Sequence, residues 1–94
     1  MLIVKGEVRK VIDKPFKRKS GDTVDQAIVI LEPEDDSQNY QVYLSDRQLQ
    51  GGIRTKWEAL KGKTVSVPVS LFVNYDYKFH KFNALGSGEP MGAK

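Results

Sequence analysis

Leu2-Ile3-Val4-Lys5-Gly6-Glu7-Val8-Arg9-Lys10-Val11-Ile12 leads through Asp13 into Lys14-Pro15-Phe16-Lys17-Arg18-Lys19-Ser20-Gly21-Asp22-Thr23. In the first part Leu2, Val4, Gly6, Val8, Lys10 and Ile12 fall on one face and Lys5, Glu7, Arg9 and Asp13 on the other, the alternation of a half-buried strand. Gly6 interrupts the apolar face, and a glycine inside a long strand predicts a bulge or sharp bend. A strand bent there can serve two sheets. In the second part four cations surround an aromatic, while Pro15, Ser20 and Gly21 argue against regular structure. The stretch therefore reads as a strand feeding an irregular, cationic loop tipped by Phe16.

Composition narrows what such a loop belongs to. Ninety-four residues make one domain, able to bury roughly 60 to 70% of its unfolded surface. Cysteine is absent, so no disulfide framework or thiolate metal site holds the chain. The apolar start Met1 to Val4 is cut off by Lys5 and Glu7, too early for a signal peptide, and no apolar run approaches the roughly 20 residues that cross a bilayer. A soluble cytoplasmic protein without a membrane partner is expected. Net charge is +3, but Glu32, Glu34, Asp35 and Asp36 take four of the 12 acids, leaving eight against all 15 cations elsewhere. That segregation fits a footprint for a polyanion, with the acidic turn pointing away from it.

Further along, Val24 to Leu31 reads as a second strand, with Ala27-Ile28-Val29-Ile30-Leu31 apolar on both faces and so covered by the barrel or by a second copy. The acidic turn from Glu32 to Asn39 lacks the spaced ligands and turn glycine of a calcium loop, and no metal is expected there. Tyr40, Val42 and Leu44 share one face of a third strand, which directs Tyr43 away from the core. Ser45 suits an N-cap for a short turn through Leu49. Ile53, Trp57 and Leu60 then form a helical stripe ending near Gly62, with Trp57 as a core plug. From Lys63 to Val73 the alternation of Val65, Val67, Val69, Leu71 and Val73 is the clearest strand, and Pro68 suggests an edge or an irregular register. Asn74-Tyr75-Asp76 supplies a turn, and Tyr77 to Leu85 a final strand. Residues 1–85 form the domain; 86–94 read as a mobile, glycine-rich tail.

The order of three strands, a helix and two strands predicts an all-β, five-stranded OB-fold Greek-key barrel with a short helix between strands 3 and 4. An SH3-like barrel is the competing fold. In the OB arrangement the loop from Asp13 to Thr23 and a second loop at Val73 to Asp76 flank a groove floored by Tyr43. At this level of layout the chain resembles small OB-fold single-stranded-DNA-binding proteins of filamentous phages and related mobile elements. The resemblance rests on the short opening strand Met1-Leu2-Ile3-Val4-Lys5, the basic loop ending in Ser20-Gly21, the paired strands around Tyr40 and Tyr43, and the compact basic-aromatic finish. The helical segment from Asp46 to Lys61 departs from the most compact of those proteins. The resemblance implies cooperative, sequence-tolerant coating of single strands during replication.

Single strands are held by cations on phosphates and aromatic faces under bases. Lys14, Lys17, Arg18 and Lys19 are the expected phosphate contacts, with Arg9 and Lys78 extending the groove. Phe16, Tyr43, Tyr75, Tyr77 and Phe82 are the stacking candidates, about half of which should face solvent. Catalysis lacks parts: His80 is the single histidine, and there is no phosphate loop, serine elbow or set of metal ligands. A non-enzymatic binder without cofactor is expected. Its partners are single-stranded nucleic acid, DNA ahead of RNA, and a second copy of the chain. The alternatives are an RNA-binding OB protein and a protein-interaction module of a replication or conjugation complex, docking by the edge that holds Pro68.

Overall fold

A computed structural model describes residues 2–34, 38–74 and 79–91. The opening strand β1 (Leu2–Asp13) has different neighbours in its two halves. Leu2–Glu7 pairs antiparallel with residues 64–69 of β6 (Thr64–Asn74), and Glu7–Asp13 pairs antiparallel with β4 (Ala27–Glu32). The expected bend is therefore present, but it is not at Gly6. The ladder to β4 slips between Val8 and Lys10, which makes Arg9 the extra residue. Gly6 serves close approach instead: a Cβ there would lie 3.0 Å from both the carbonyl carbon and the oxygen of Glu32. Those are backbone atoms that cannot swing aside, so Gly6→Val is expected to destabilise the fold by about 1 to 3 kcal/mol. A lowered urea midpoint with an unchanged m-value is the measurement.

The bulge resets the alternation that the sequence displays. Val4 and Val8 point into the core, and after the extra residue Val11 takes the next inward place, while Ile12 turns out and is 37% exposed. The other strands of the barrel are β5 (Tyr40–Leu44) and β7 (Phe79–Ala84), and the sheet closes in the order β1-β4-β5-β7-β6. All its pairs are antiparallel except β5 with β7. The interior holds Val4, Val8, Val11, Val29, Leu31, Val42, Leu44, Val65, Val67 and Val69, and Ile53 and Trp57 belong to the same cluster. Ile28 and Ile30, on the outer side of β4, are buried as well. Ile28 lies between Ile12 and Tyr43, and Ile30 between Lys10 and Gln41. The doubly apolar strand is thus covered by its own sheet, and a second copy is not needed for it.

One short helix between strands 3 and 4 was the expectation; two are found, α1 (Asp46–Gln50) and α2 (Ile53–Ala59), lying between β5 and β6. The numbering moves because the basic loop carries a two-stranded ladder of its own, β2 (Phe16–Lys17) with β3 (Thr23–Val24). Ser45 caps α1 as expected: its Oγ accepts from the Gln48 N–H at 3.3 Å, and Gln48 Oε1 accepts from the Ser45 N–H at 2.8 Å. Among the described residues no helix is long and apolar enough to cross a membrane.

Pro68 does not mark an edge, because the barrel is closed. Its carbonyl accepts from the Leu85 N–H at 3.1 Å, so its nitrogen also faces the β7 side. The ladder to β7 begins only at Val69 with Ala84. The missing N–H thus falls just beyond the end of that ladder and costs no rung. The glycine-rich stretch expected to be mobile is tied down over 86–91. Gln48 Nε2 donates to the carbonyls of Ala84 and Gly86, Trp57 Nε1 donates to Gly88 O at 2.9 Å, and the Met91 N–H donates to Ser66 O at 2.6 Å. Gly88 passes so close that a Cβ would stand 3.2 to 3.3 Å from Gln48, Ile53 and Leu44.

Candidate nucleic-acid interface

The cationic loop is not irregular. Past Lys14, whose N–H donates to Gln26 O at 2.7 Å, Phe16 pairs with Val24 and Lys17 with Thr23. A three-residue loop closes this hairpin: the Arg18 N–H donates to Asp22 O at 2.8 Å, and Gly21, at φ 98°, returns its N–H to Arg18 O. The left-handed position explains the glycine, and the resulting arm continues the β1–β4 ribbon outward. Lys14, Lys17, Arg18 and Lys19 are all exposed, and none pairs with an acid among the described residues. Phe16 is 46% exposed. Strand pairing puts it on the Val24 side of the arm, opposite to Lys17 and Thr23.

The arm leads into a strip on the outer face of the barrel. Two rows run across it, Ile12, Ile28, Tyr43 and Asn83 over four strands and Lys10, Ile30 and Gln41 over three. Asp13 and Ala27, at the root of the arm, are the next pair along from Ile12 and Ile28. Tyr43 is half-buried and outward, as expected, and Lys81 Nζ sits over its ring at 4.8 Å from the centroid. On the far side of Lys81, Phe72 is its partner in the β6–β7 ladder and is 47% exposed. Two aromatics with a cation between them therefore stand at the end of the strip away from β1.

Several expected contacts lie elsewhere. Phe82 is partly buried against the core and meets Tyr40 edge to face, centroids 6.1 Å apart. Being one residue from Lys81 in a strand, it must face the other way. Arg9 does not extend a cationic groove, because the bulge sets its guanidinium between Glu7 at 3.0 Å and Glu32 at 3.1 Å. Tyr75, Tyr77 and Lys78 lie outside the described residues. So does Asp76 of the second expected loop, whose first two residues, Val73 and Asn74, belong to β6. Lys10, Phe72 and Lys81 were missed. Lys81 and Phe72 could have been picked from the outward positions of their strands, whereas the bulge hides Lys10 in what looks like an inward place.

Among the described residues the pairing of β6 with β1 reaches Val69, and its pairing with β7 runs on to Asn74. Leu71 and Val73, which the alternation groups with the buried Val65, Val67 and Val69, are 45% and 39% exposed. Beside Tyr43, at the start of β5, is a cleft of about 290 Å³ lined by Gln38, Asn39, Tyr40, Gln41, Lys81 and Phe82 as well as Tyr43 itself. The chain matches no protein-family model, no curated protein and no solved structure.

Proposed function

We propose that this chain is a non-enzymatic OB-fold protein that binds and coats single-stranded DNA during replication of a phage or mobile element. The observation that carries the reading is the continuity of the arm, whose exposed cations pair with no acid among the described residues, with the strip that ends in Tyr43, Lys81 and Phe72. The OB reading is supported by the barrel order, in which the last strand enters between the third and fourth barrel strands, and by a binding strip on the second and third of them. Phosphates would be met by Lys14, Lys17, Arg18 and Lys19, joined by Lys10 and Lys81, and bases by Phe16, Tyr43 and Phe72. The cation over Tyr43 is no obstacle. An exposed cation–π contact contributes about 0.5 to 1 kcal/mol, and a stacked base about 1 to 3 kcal/mol. An arriving base displaces Lys81 onto the neighbouring phosphate. A second copy would find apolar surface on Leu71 and Val73 rather than on the covered β4.

The test is the fluorescence anisotropy of a labelled oligo-dT, with a duplex and an oligo-U as controls, at several salt concentrations. Tight, salt-dependent binding to the single strand is expected, with DNA ahead of RNA. Tyr43→Ala should weaken it by about 1 to 3 kcal/mol without altering the salt slope, and Tyr43→Phe should keep it. Absence of binding even at low salt would sink the proposal.

A further inference from the structure

Stacking and phosphate contacts alone treat a base as a flat apolar object, yet the cleft beside Tyr43 is built of more than ring faces. Tyr40, Tyr43, Phe82 and Lys81 line it, and so do Asn39 and Gln41. Both amides are exposed, and among the described residues neither side chain has a hydrogen-bond partner. They are placed beside aromatic rings with their hydrogen-bonding capacity unspent. A carboxamide sets a donor next to an acceptor, and it can present them in either order by turning over. The Watson–Crick edge of every base has such a neighbouring pair: N3–H with O4 in thymine, N3 with the N4 amine in cytosine, N1 with the N6 amine in adenine, N1–H with O6 in guanine.

Resting on the single-strand reading above, we infer that this cleft takes one unpaired nucleobase and hydrogen-bonds its Watson–Crick edge through Asn39 and Gln41. Recognition of this kind is tolerant of sequence, because a turning amide serves all four bases. It is intolerant of pairing, because a duplex has spent the same edge on the complementary strand. The amides thereby supply a reason for choosing single strands that stacking does not give by itself.

The experiment compares oligo-dT with oligo-dT containing N3-methylthymine. Methylation removes the N3–H and blocks the edge while leaving the ring face and the phosphates. The wild-type protein should bind the methylated strand about tenfold more weakly, the worth of one or two net hydrogen bonds. The doubly substituted Asn39→Ala, Gln41→Met protein should bind both strands alike, at the affinity of the wild type for the methylated one. Equal binding of both strands by the wild type would overturn the inference and leave the single-strand reading standing. Binding of neither at low salt would remove that reading, and the inference with it.

Discussion

Alanine at Lys17, Arg18 and Lys19 together should weaken binding of oligo-dT by about a hundredfold at 0.1 M salt. Each phosphate contact on a single strand contributes about 0.7 to the slope of log K against log[salt]. Three lost contacts therefore flatten the slope by about two, and wild type and variant should converge as salt approaches 1 M. The arm itself should survive the substitution. Its bonds run from backbone to backbone, Arg18 N–H to Asp22 O and Gly21 N–H to Arg18 O, and ask nothing of the three side chains. An unchanged circular dichroism spectrum and melting temperature check this. Arg9→Ala provides the contrast: with its guanidinium between Glu7 and Glu32, its loss should leave the salt slope as it was. A slope that stays put in the triple variant would mean that the arm does not meet phosphates.

What could be read in the sequence, and what could not, divides along a physical line. Inward Val65, Val67 and Val69, the Ser45 cap and the buried Trp57 follow from local periodicity and capping chemistry, which act within a few residues. The bulge at Arg9 does not. It depends on how β1 meets β4, and once it is present Ile12 and Val11 exchange the places that simple alternation gives them. The same limit applied to the site. Tyr43 and the cations of the arm were legible because their strand parity and their polar neighbours are local facts. Phe72 meets Lys81, and Lys81 covers Tyr43, only through the register of β6 with β7 and the parallel placement of β7 beside β5. Leu71 and Val73 continue the alternation of β6 without fault. They are nevertheless exposed, beyond the described pairing of β6 with β1, which reaches Val69. The glycines after Leu85 read as a mobile tail because their packing partners, Trp57 and Gln48, are some thirty residues away in sequence.

That last contact sets the stability experiment. Trp57 is fully buried in the core, and its Nε1–H is spent on the Gly88 carbonyl. Trp57→Ala removes the largest side chain of the interior and leaves a hole that the closed barrel cannot collapse to fill. The expected cost is about 3 to 5 kcal/mol, a large share of the 5 to 15 kcal/mol typical of a domain. Trp57→Phe keeps an aromatic ring in place and loses the indole donor, leaving the Gly88 carbonyl without that partner. It should cost less, about 1 to 3 kcal/mol. Urea unfolding followed by circular dichroism ranks the two, since the only tryptophan of the chain is lost in both. Hydrogen exchange then separates packing from tethering. If the indole holds the 86–91 segment to the barrel, the Met91 amide, which donates to Ser66 O, should exchange faster in Trp57→Phe than the loss of global stability accounts for. Protection that falls only in step with global stability would show that the segment is held by the other contacts, those of Gln48 to Ala84 and Gly86. Trp57 would then act through its volume alone.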